Sequence, residues 1–567
     1  MLKTGVLGHG SYGTVYEAVS PRGNLYAVKR NFNNESIRGI GPIRESDLMM
    51  KLAHHQHLVN IRDMRTGVLD KGSLSPPPSE MSADLLYFVM KKADTDLEQL
   101  IHYSITNNYS FRKMKTIMVQ ILLAVEFLHK SGVIHRDLKP GNVLINESSN
   151  DKDIPHARVC DFGMSIQWTR QGPMTPEVYT PTYRAPEVCI GQLRTKAKKS
   201  NHGYTYAADV WSLGCILYFM ISGSPLLPGI IEVERQLVAI LQYCPDYVKP
   251  EDVERALGKA YDPEIDWDQR NMRNENLPFE ARAVPKLIES RFNVETASYS
   301  DFGVISSSSQ FQYVDLLKRM LKWNPSERIT ATECLDHPWF VEYRDLIIHM
   351  RRVYQPVVWN SKIEMFPCVE RKWAGRVAID LYNNWMFSSD NDLYLWFSYR
   401  ILFHSLAAFD RWMGNKLSTA SPDSSESEEN GRVYTRIEAE AVFWSLVYLY
   451  TKYFHINTLI PEYEKIVPAK YREDGKLQAL MDHVEAEMIR KANLYHVTLY
   501  EACELVGFSE LDDHQVGDLI LMYTSCRVQL TGSVYDAVRT YQSVCVAHKG
   551  IVDNDERKAA IQRALIN

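Results

Sequence analysis

The sequence lacks paired cysteines and long apolar runs. Its nine cysteines are scattered singly, with no Cys-x-x-Cys pair and no histidine at zinc-ligand spacing, so neither a disulfide framework nor a structural zinc site is predicted. The longest apolar stretch, 393–409, is broken by Arg400 and His404 and falls short of the ~18 uninterrupted residues of a membrane helix. The first eight residues lack the pattern of a secretory signal. We therefore expect an intracellular protein, cytoplasmic or nuclear, without a membrane partner.

The chain also lacks an excess of positive charge. It has 64 Lys and Arg against 70 Asp and Glu, a net charge of -6, which gives no reason to expect nucleic acid as a partner. A composition of 45% hydrophobic and 24% charged residues is that of an ordinary globular protein and excludes collagen-like or wholly disordered chains. The 567 residues exceed the ~250–300 that one hydrophobic core usually supports. At least two domains are predicted.

The pattern of apolar residues changes along the chain. Residues 4–30 show short strands around a glycine turn, residues 43–52 show helical spacing, and helical patterns dominate beyond Asp96. A small β-rich lobe followed by a larger helical lobe is the simplest interpretation. From Val369 onward, amphipathic helices are predicted, interrupted by the acidic, serine-rich segment 418–431, which we interpret as a surface loop.

A glycine-rich segment opens the chain. Gly8-His9-Gly10-Ser11-Tyr12-Gly13 is followed by an extended pattern and not by the helix of a dinucleotide-binding unit. These glycines are typical of a flexible lid whose backbone N–H groups lie over phosphates. Lys29, on a later strand, can aim its ammonium at phosphate oxygens, and Glu45 on the next helix can hold that ammonium in place.

Two further motifs supply the groups that phosphoryl transfer needs. His135-Arg136-Asp137-Leu138-Lys139-Pro140-Gly141-Asn142 carries a carboxylate, an ammonium and an amide, and Asp161-Phe162-Gly163 adds a second carboxylate. Asp161 and Asn142 are predicted ligands of Mg²⁺, whereas Asp137 would orient the attacking hydroxyl and accept its proton. Lys139 adds positive charge to offset the charge that develops on the phosphoryl group.

With Ala185-Pro186-Glu187, Asp209-Val210-Trp211-Ser212-Leu213-Gly214 and Arg328 in order, the sequence resembles the eukaryotic protein kinase family over about Met1 to Phe340. The resemblance implies a bilobal α+β fold, a protein substrate, and ATP and Mg²⁺ as cofactors. Lys139 and Thr180 resemble the serine/threonine branch and are catalytic positions there. The ATP-contacting positions that the resemblance implies, with Met90 as gatekeeper and 91–93 as hinge, are Gly8, Gly10, Gly13, Val15, Ala27, Lys29, Met90, Lys91, Ala93, Asp96 and Leu144.

One helix resembles the signature helix of cyclin-dependent kinases. The segment 41–48 keeps the Ile-Arg-Glu of that family, in which a bound cyclin swings the helix so that its glutamate reaches the strand lysine. Ser11 and Tyr12 resemble the family's inhibitory phosphorylation pair. A phosphate there would inhibit the kinase because it would repel the nucleotide phosphates.

The segment before Ala-Pro-Glu resembles a phosphorylated activation segment. Thr175 matches the activating phosphosite, and Arg44 and Arg136 match two arginines that hold its phosphate. The third arginine of the family is replaced by Ile166. Arg170 could substitute for it, or the segment could be held without phosphate.

The C-terminal helices resemble a cyclin box at 376–381, 409–412 and 448–453. In cyclins, a buried Arg and Asp pair with each other, and a Lys and a Glu hydrogen-bond the kinase near its signature helix. The matching positions are Arg376, Asp410, Lys452 and Glu485, with Glu487 as an alternative to Glu485. An unrelated helical bundle remains the other interpretation of these helices.

These observations predict a kinase domain at 1–345, a linker at 346–366 and an all-α, cyclin-box-like domain at 367–567. The predicted function is that of an ATP-dependent serine/threonine kinase with a cyclin-like activator in cis, in which the two domains contact each other within a monomer. Two alternatives stay open: a catalytically weak scaffold that keeps the kinase fold, or a kinase whose helical domain recruits substrate.

Overall fold

The chain divides into two compact units. One comprises residues 1–34, 48–168 and 173–355, and the other comprises 35–47, 169–172 and 356–567. Helix α1 (Ile40–Leu52) is shared, because the division falls between Asp47 and Leu48. The computed structural model describes residues 2–10, 13–31, 40–66, 86–106, 111–147, 154–167, 178–196, 203–227, 229–268, 307–356, 362–363, 370, 373–378, 380–381, 399–419, 434–454, 463–490 and 532–533.

The first unit begins with an antiparallel five-stranded sheet in the order β1-β2-β3-β5-β4. Its strands are β1 (Leu2–Gly10), β2 (Gly13–Val19), β3 (Leu25–Asn31), β4 (Ile61–Thr66) and β5 (Leu86–Lys91). Strand registers pair Val15 with Lys29 and Ala27 with Met90. Because side chains alternate between faces along a strand, these four residues share one face. The other face carries a core cluster of Tyr16, Ala18, Val28, Tyr87 and Val89.

Gly13 permits the close approach of β2 to β3. A Cβ atom at this position would lie 2.3 Å from the carbonyl oxygen of Arg30, so any side chain would force the two strands apart. The last glycine of the glycine-rich segment therefore has a structural role in the sheet as well as its predicted role over phosphates.

Short strands in the first unit position its loops. Strands β6 (Thr95–Asp96), β8 (Val143–Asn146) and β9 (His156–Val159) form a three-stranded sheet, and β7 (Val133–Ile134) pairs with β10 (Ile166–Gln167). The loop 135–142 thus runs between two strands whose ends are fixed by separate sheets.

The described residues of the first unit also form helices. They are α2 (Leu97–Thr106), α3 (Phe111–Lys130), α4 (Pro186–Lys196), α5 (Ala207–Ser222), α6 (Val233–Tyr243), α7 (Pro250–Leu257), α8 (Ser307–Met320), α9 (Ala331–Leu335) and α10 (Arg344–Val353). Helices α3 and α5 form the centre, since most of their residues are buried. The β-rich lobe and helical lobe predicted from the sequence are confirmed.

Helix α10 corrects part of the predicted linker 346–366. Ile347 and Met350 are buried, and the guanidinium of Arg351 donates to Glu126 of α3 and to Asp336. Residues 346–353 therefore belong to the first unit because their apolar face packs on it. The other domain boundaries stay predictions.

The second unit is mainly helical where it is described. Its helices are α11 (Tyr399–Thr419), α12 (Arg436–Phe454), α13 (Tyr463–Ile466), α14 (Ala469–Arg472) and α15 (Gly475–Arg490), preceded by helical residues at 373–378 and 380–381. Helix α12 packs against α11 and α15. A two-residue ladder of β11 (Lys362–Ile363) with β12 (Gly532–Ser533) departs from the predicted all-α fold. No helix within the described ranges is long and apolar enough to cross a membrane.

Candidate active site

The carboxylate of Asp137 is held by three side chains. Lys139 Nζ lies 2.7 Å from Asp137 Oδ2, and Asn142 Nδ2 donates to the same oxygen at 3.0 Å. Thr180 Oγ1 donates to Asp137 Oδ1 at 2.7 Å, and Lys139 Nζ also reaches Thr180 Oγ1 at 3.2 Å. The structure therefore brings together Asp137, Lys139, Asn142 and Thr180, as the sequence predicts. Both carboxylate oxygens are fixed, so the carboxylate is oriented before any substrate arrives.

Asp209 of α5 anchors the loop that carries Asp137. It is fully buried, and it accepts hydrogen bonds from the backbone N–H groups of His135 (2.8 Å) and Arg136 (3.0 Å). His129 Nε2 and the Tyr179 hydroxyl approach the same carboxylate at 3.0 and 3.2 Å. Burial acts to raise the pKa of Asp209, but hydrogen bonds and charge from His129 and His135 outweigh it and lower the pKa. An ionised acceptor thus fixes a loop that includes Arg136 at φ 66°.

Lys29 pairs with Asp161 at the start of the Asp-Phe-Gly motif. The ammonium lies 2.8 Å from Asp161 Oδ1, and Asp161 takes the left-handed conformation at φ 65°. Burial acts to raise the pKa of Asp161, but the charge and hydrogen bond of Lys29, with His135 and Lys139, hold the pKa below its usual value. Glu45 is buried on α1, and its predicted role as the partner of Lys29 stays a prediction.

The donor atoms of this region fit Mg²⁺. Asn142 directs its amide nitrogen toward Asp137, which leaves its amide oxygen for a cation, and Asp161 contributes an ionised carboxylate. Carboxylate and amide oxygens are the ligands that Mg²⁺ prefers. The predicted metal ligands, Asn142 and Asp161, are therefore chemically suited to the ion.

The predicted nucleotide positions fall on the sheet and the segment that follows it. Val15, Ala27, Lys29 and Met90 share a face, as the strand registers show. Gly8 and Gly10 lie in the last part of β1, Gly13 begins β2, and Lys91 and Ala93 follow Met90. Leu144 pairs with Asp96 in the small sheet. Ser11 and Tyr12 lie outside the described residues.

Asp96 has a structural use in addition to its predicted one. Its carboxylate accepts hydrogen bonds from the backbone N–H of Gln99 at 2.9 Å and from Gln99 Nε2 at 2.8 Å. It therefore caps the start of α2, where the first N–H groups have no partner within the helix.

Arg136 is fully buried and engaged locally. Its Nε donates to the carbonyl of Met164 at 2.6 Å, and its Nη1 donates to the Tyr204 hydroxyl at 2.8 Å. Nη2 is buried without a hydrogen-bond partner among the described residues, so one donor remains for the predicted phosphate. Thr175 and Arg170 lie outside the described residues.

Arg328 ties the Ala-Pro-Glu motif to the helical lobe. Its guanidinium makes a two-point contact with Glu187, at 2.7 and 3.0 Å, and donates to the carbonyls of Ala207 and Lys322. Such bidentate pairs combine charge with fixed geometry. The segment that ends at Glu187, and includes Thr180, is therefore anchored at its C-terminal end.

Within the second unit, the first half of α1 contacts α12. Arg44 Nη2 donates to the carbonyl of Lys452 at 2.9 Å, and the Tyr453 hydroxyl donates to Asp47 Oδ2 at 2.9 Å. The Arg44 guanidinium also lies 5.6 Å from the centre of the Tyr453 ring, within cation–π range. Burial, with the neighbouring charge of Asp47, raises the pKa of Tyr453 well above its usual value. The phenol therefore stays a neutral donor.

The four predicted cyclin-like positions have different outcomes. Lys452 is buried and pairs with Glu485, while its backbone carbonyl receives Arg44. Asp410 is buried. Arg376 is exposed and lines a cavity of about 410 Å³, so its expected role as the buried partner of Asp410 is wrong. The reason is the helix face: Ala374, Val377 and Ala378 are buried, and Arg376 points away from them.

Sequence reasoning missed the groups that hold the catalytic loop. Asp209 stood in a recognised motif, and an acidic residue in the first turn of a buried helix was a usable signal of an anchor. Tyr179 and Tyr204 carried no local signal, because a tyrosine hydroxyl becomes informative only when its partner is known. The same holds for Tyr453.

Comparisons with known proteins agree with this geometry. The protein kinase domain family matches residues 2–340. The probable cyclin-dependent kinase 8 of Dictyostelium discoideum is 31% identical over 349 residues, covering 59% of this chain and 79% of that protein. The cell division control protein 2 homolog 3 of Trypanosoma brucei brucei is 30% identical, with 59% and 90% covered. The mitogen-activated protein kinase spk1 of Schizosaccharomyces pombe is 30% identical, with 60% and 78% covered.

Proposed function

Because the chain belongs to the protein kinase family and is a protein serine/threonine kinase, we propose that it is of the cyclin-dependent type and that its helical C-terminal unit activates it in cis. The observation that supports this is the placement of α1. Its residues through Asp47 group with the C-terminal helices, and Arg44 and Asp47 each bond to α12. A segment that a separate cyclin positions in related kinases would here be positioned by the same chain.

The catalytic residues divide the work of phosphoryl transfer. When bound, Mg·ATP supplies the phosphoryl group and neutralises charge on its oxygens. Asp137 orients the substrate hydroxyl and accepts its proton, and Thr180 and Lys139 keep the carboxylate in position. Asn142 and Asp161 would hold the metal, and Lys29 would hold phosphate oxygens. Lys139 also offsets negative charge as the new ester forms.

The contact of Tyr453 with Asp47 is energetically significant. Asp47 is 1% exposed and Tyr453 is 2% exposed, so without this hydroxyl the carboxylate would lose a donor in a site from which water is excluded. A hydrogen bond to a charged group contributes about 1.5–3 kcal/mol. Glu45 lies two residues before Asp47 and is also buried. Fixing Arg44 and Asp47 therefore fixes the glutamate that the family resemblance assigns to Lys29.

The proposal is tested by removing this one hydroxyl. We expect Tyr453→Phe to lower kcat/KM for a short peptide, with no cyclin added, by about tenfold or more, since ~1.4 kcal/mol corresponds to tenfold. Tyr471→Phe is the matched control. The Tyr471 hydroxyl donates to Glu440 Oε2 at 2.7 Å within the same unit. The control substitution therefore removes an equivalent buried hydrogen bond that does not involve α1. We expect this control to keep its activity below the unfolding temperature.

Three outcomes would contradict activation in cis. The first is unchanged activity in Tyr453→Phe, and the second is an equal loss in both variants, which would indicate general destabilisation. The third is a loss confined to KM for a full-length protein substrate with normal activity on the short peptide. That result would favour recruitment of substrate by the C-terminal unit. The kinase assignment itself would survive all three.

A further inference from the structure

A cavity of about 270 Å³ lies in the first unit, away from the catalytic loop. Its walls come from the segment 53–60 after α1, the start of β4, the segment after β5, and strands β8 and β9. Neither Asp137 nor any of the three side chains that hold its carboxylate lines it. Lys91 contributes from the opposite face of β5 to Met90, because neighbouring side chains alternate along a strand. The cavity therefore opens on the other side of β5 from Lys29, and it shares Lys91, Ala93 and Leu144 with the predicted nucleotide positions.

The lining of this basic cavity is one-sided in charge. It contains Arg62, Lys91 and Arg158, three histidines, and no carboxylate among the described residues. Arg158 Nη1 donates to the neutral amide oxygen of Asn146 at 2.6 Å, and Asn146 in turn donates weakly to Asp94 at 3.4 Å. In the part of the chain that the structure describes, no ion pair involves any of the three cations.

The cations act on each other and on the histidines. Burial and the charge of Arg62 lower the pKa of Arg158. Burial, followed by the charges of Arg158 and Lys91, lowers the pKa of His156 to about 4. The imidazole of His156 is therefore neutral at pH 7, and the cavity keeps three fixed positive charges that repel one another. His156 Nδ1 is also buried without a hydrogen-bond partner among the described residues.

We propose that the basic cavity binds a phosphate monoester, carried on a phosphorylated serine or threonine of a peptide. A phosphate dianion of about -1.5 to -2 charge offsets most of the repulsion. Guanidinium groups match its oxygens in a two-point geometry. A single water occupies ~30 Å³ of liquid, so the cavity is roomy enough for a phosphate and the side chain that carries it. Since the protein is itself a kinase, its own products belong to this ligand class.

Binding is measured on the full-length chain with its nucleotide site saturated by a non-hydrolysable ATP analogue. The probes are a fluorescent phosphoserine peptide with neutral flanking residues, its unphosphorylated form, and inorganic phosphate as competitor. We expect only the phosphorylated peptide to bind, and we expect Arg62→Gln to weaken it at least tenfold. Arg22→Gln removes an exposed cation from the turn between β2 and β3 and should leave binding unchanged.

Arg158→Gln provides a second measurement. Its binding result counts only if the variant unfolds at the same midpoint as the wild type, which shows that the variant is folded. Because Arg158 is partly buried whereas Arg62 is exposed, Arg62→Gln is the primary variant of the test. Inorganic phosphate that displaces the peptide only at far higher concentration supports a phosphorylated protein as the source. Equal affinity for free phosphate overturns the peptide and points to a small anion. Phosphopeptide binding that is absent, or insensitive to Arg62→Gln and Arg158→Gln, overturns the site itself.

Discussion

Two buried histidines predict that the first unit loses stability in mild acid. His55 and His57 are 2% and 3% exposed. Burial first, and then the charges of neighbouring histidines, lower the pKa of His55 to about 3. Burial, partly opposed by a hydrogen bond to the carbonyl of Ala157, lowers the pKa of His57 to about 4. Both rings are therefore mostly neutral in the folded protein at pH 5 and above.

The direction and size of the effect follow from the proton balance. In the unfolded chain these rings titrate near pH 6.5. Below that pH the unfolded state takes up protons that the folded state does not, so the free energy of unfolding falls as pH decreases from about 6.5 to 4. One pH unit corresponds to ~1.36 kcal/mol for each proton. At pH 5 the loss is about 2 kcal/mol for each ring. The free energy of unfolding of a typical protein is only ~5–15 kcal/mol, so this loss is a large part of it.

Urea unfolding at pH 7 and pH 5, followed by tryptophan fluorescence, measures this loss. His55→Phe is the informative variant, because His55 stacks on Phe127 with 4.8 Å between ring centres and phenylalanine keeps the ring. We expect the variant to lose about 2 kcal/mol less than the wild type between the two pH values. A wild-type midpoint that does not move, or a variant with an undiminished loss, would refute the reasoning.

Two further predictions concern the catalytic loop. Thr180→Ala removes the hydroxyl that donates to Asp137 at 2.7 Å. A hydrogen bond to a charged group contributes about 1.5–3 kcal/mol, and ~1.4 kcal/mol corresponds to tenfold in rate, so we expect kcat to fall about tenfold or more. Thr180→Ser should keep most activity, and equal kcat for the alanine and serine variants would contradict this. In the wild type the Asp209 carboxylate accepts hydrogen bonds from two backbone N–H groups. Asp209→Asn replaces one of the two oxygens with an N–H₂ group, so that one backbone donor faces another donor. We expect thermal unfolding to show a loss of about 1–3 kcal/mol together with reduced kcat, and a variant with normal stability and normal kcat would disprove the anchoring role.

The catalytic groups were predictable because each stands in a short motif whose chemistry is local. Asp137, Lys139 and Asn142 lie within six residues, and the loop that joins them leaves few ways to arrange a carboxylate, an ammonium and an amide. The sheet was predictable for a similar reason, since the apolar residues Tyr16 and Ala18 stand two positions apart along β2 and mark its buried face. In these cases local pattern and final structure agree.

The atoms that meet between distant segments were not predictable. Arg44 bonds to the backbone carbonyl of Lys452, and a backbone acceptor leaves no mark in the sequence. The error on Arg376 was avoidable, however. Ala374, Val377, Ala378 and Leu381 recur at helical spacing and are all buried, so periodicity alone placed Arg376 on the other face. At this position the helical pattern and the family resemblance give opposite predictions, and the structure agrees with the helical pattern.

The shared helix α1 has a consequence for biosynthesis. Arg44 and its partner Lys452 are separated by 408 positions, and chains are made at ~5–20 residues per second. A ribosome therefore needs roughly 20–80 s after making α1 to supply α12. During that time the contacts of α1 with α12 cannot form. The side chains affected are buried in the finished protein: Arg44, Glu45 and Asp47. If the C-terminal unit activates the kinase as proposed, a nascent or prematurely terminated chain is catalytically silent, and enzyme activity reports that translation has run past residue 453.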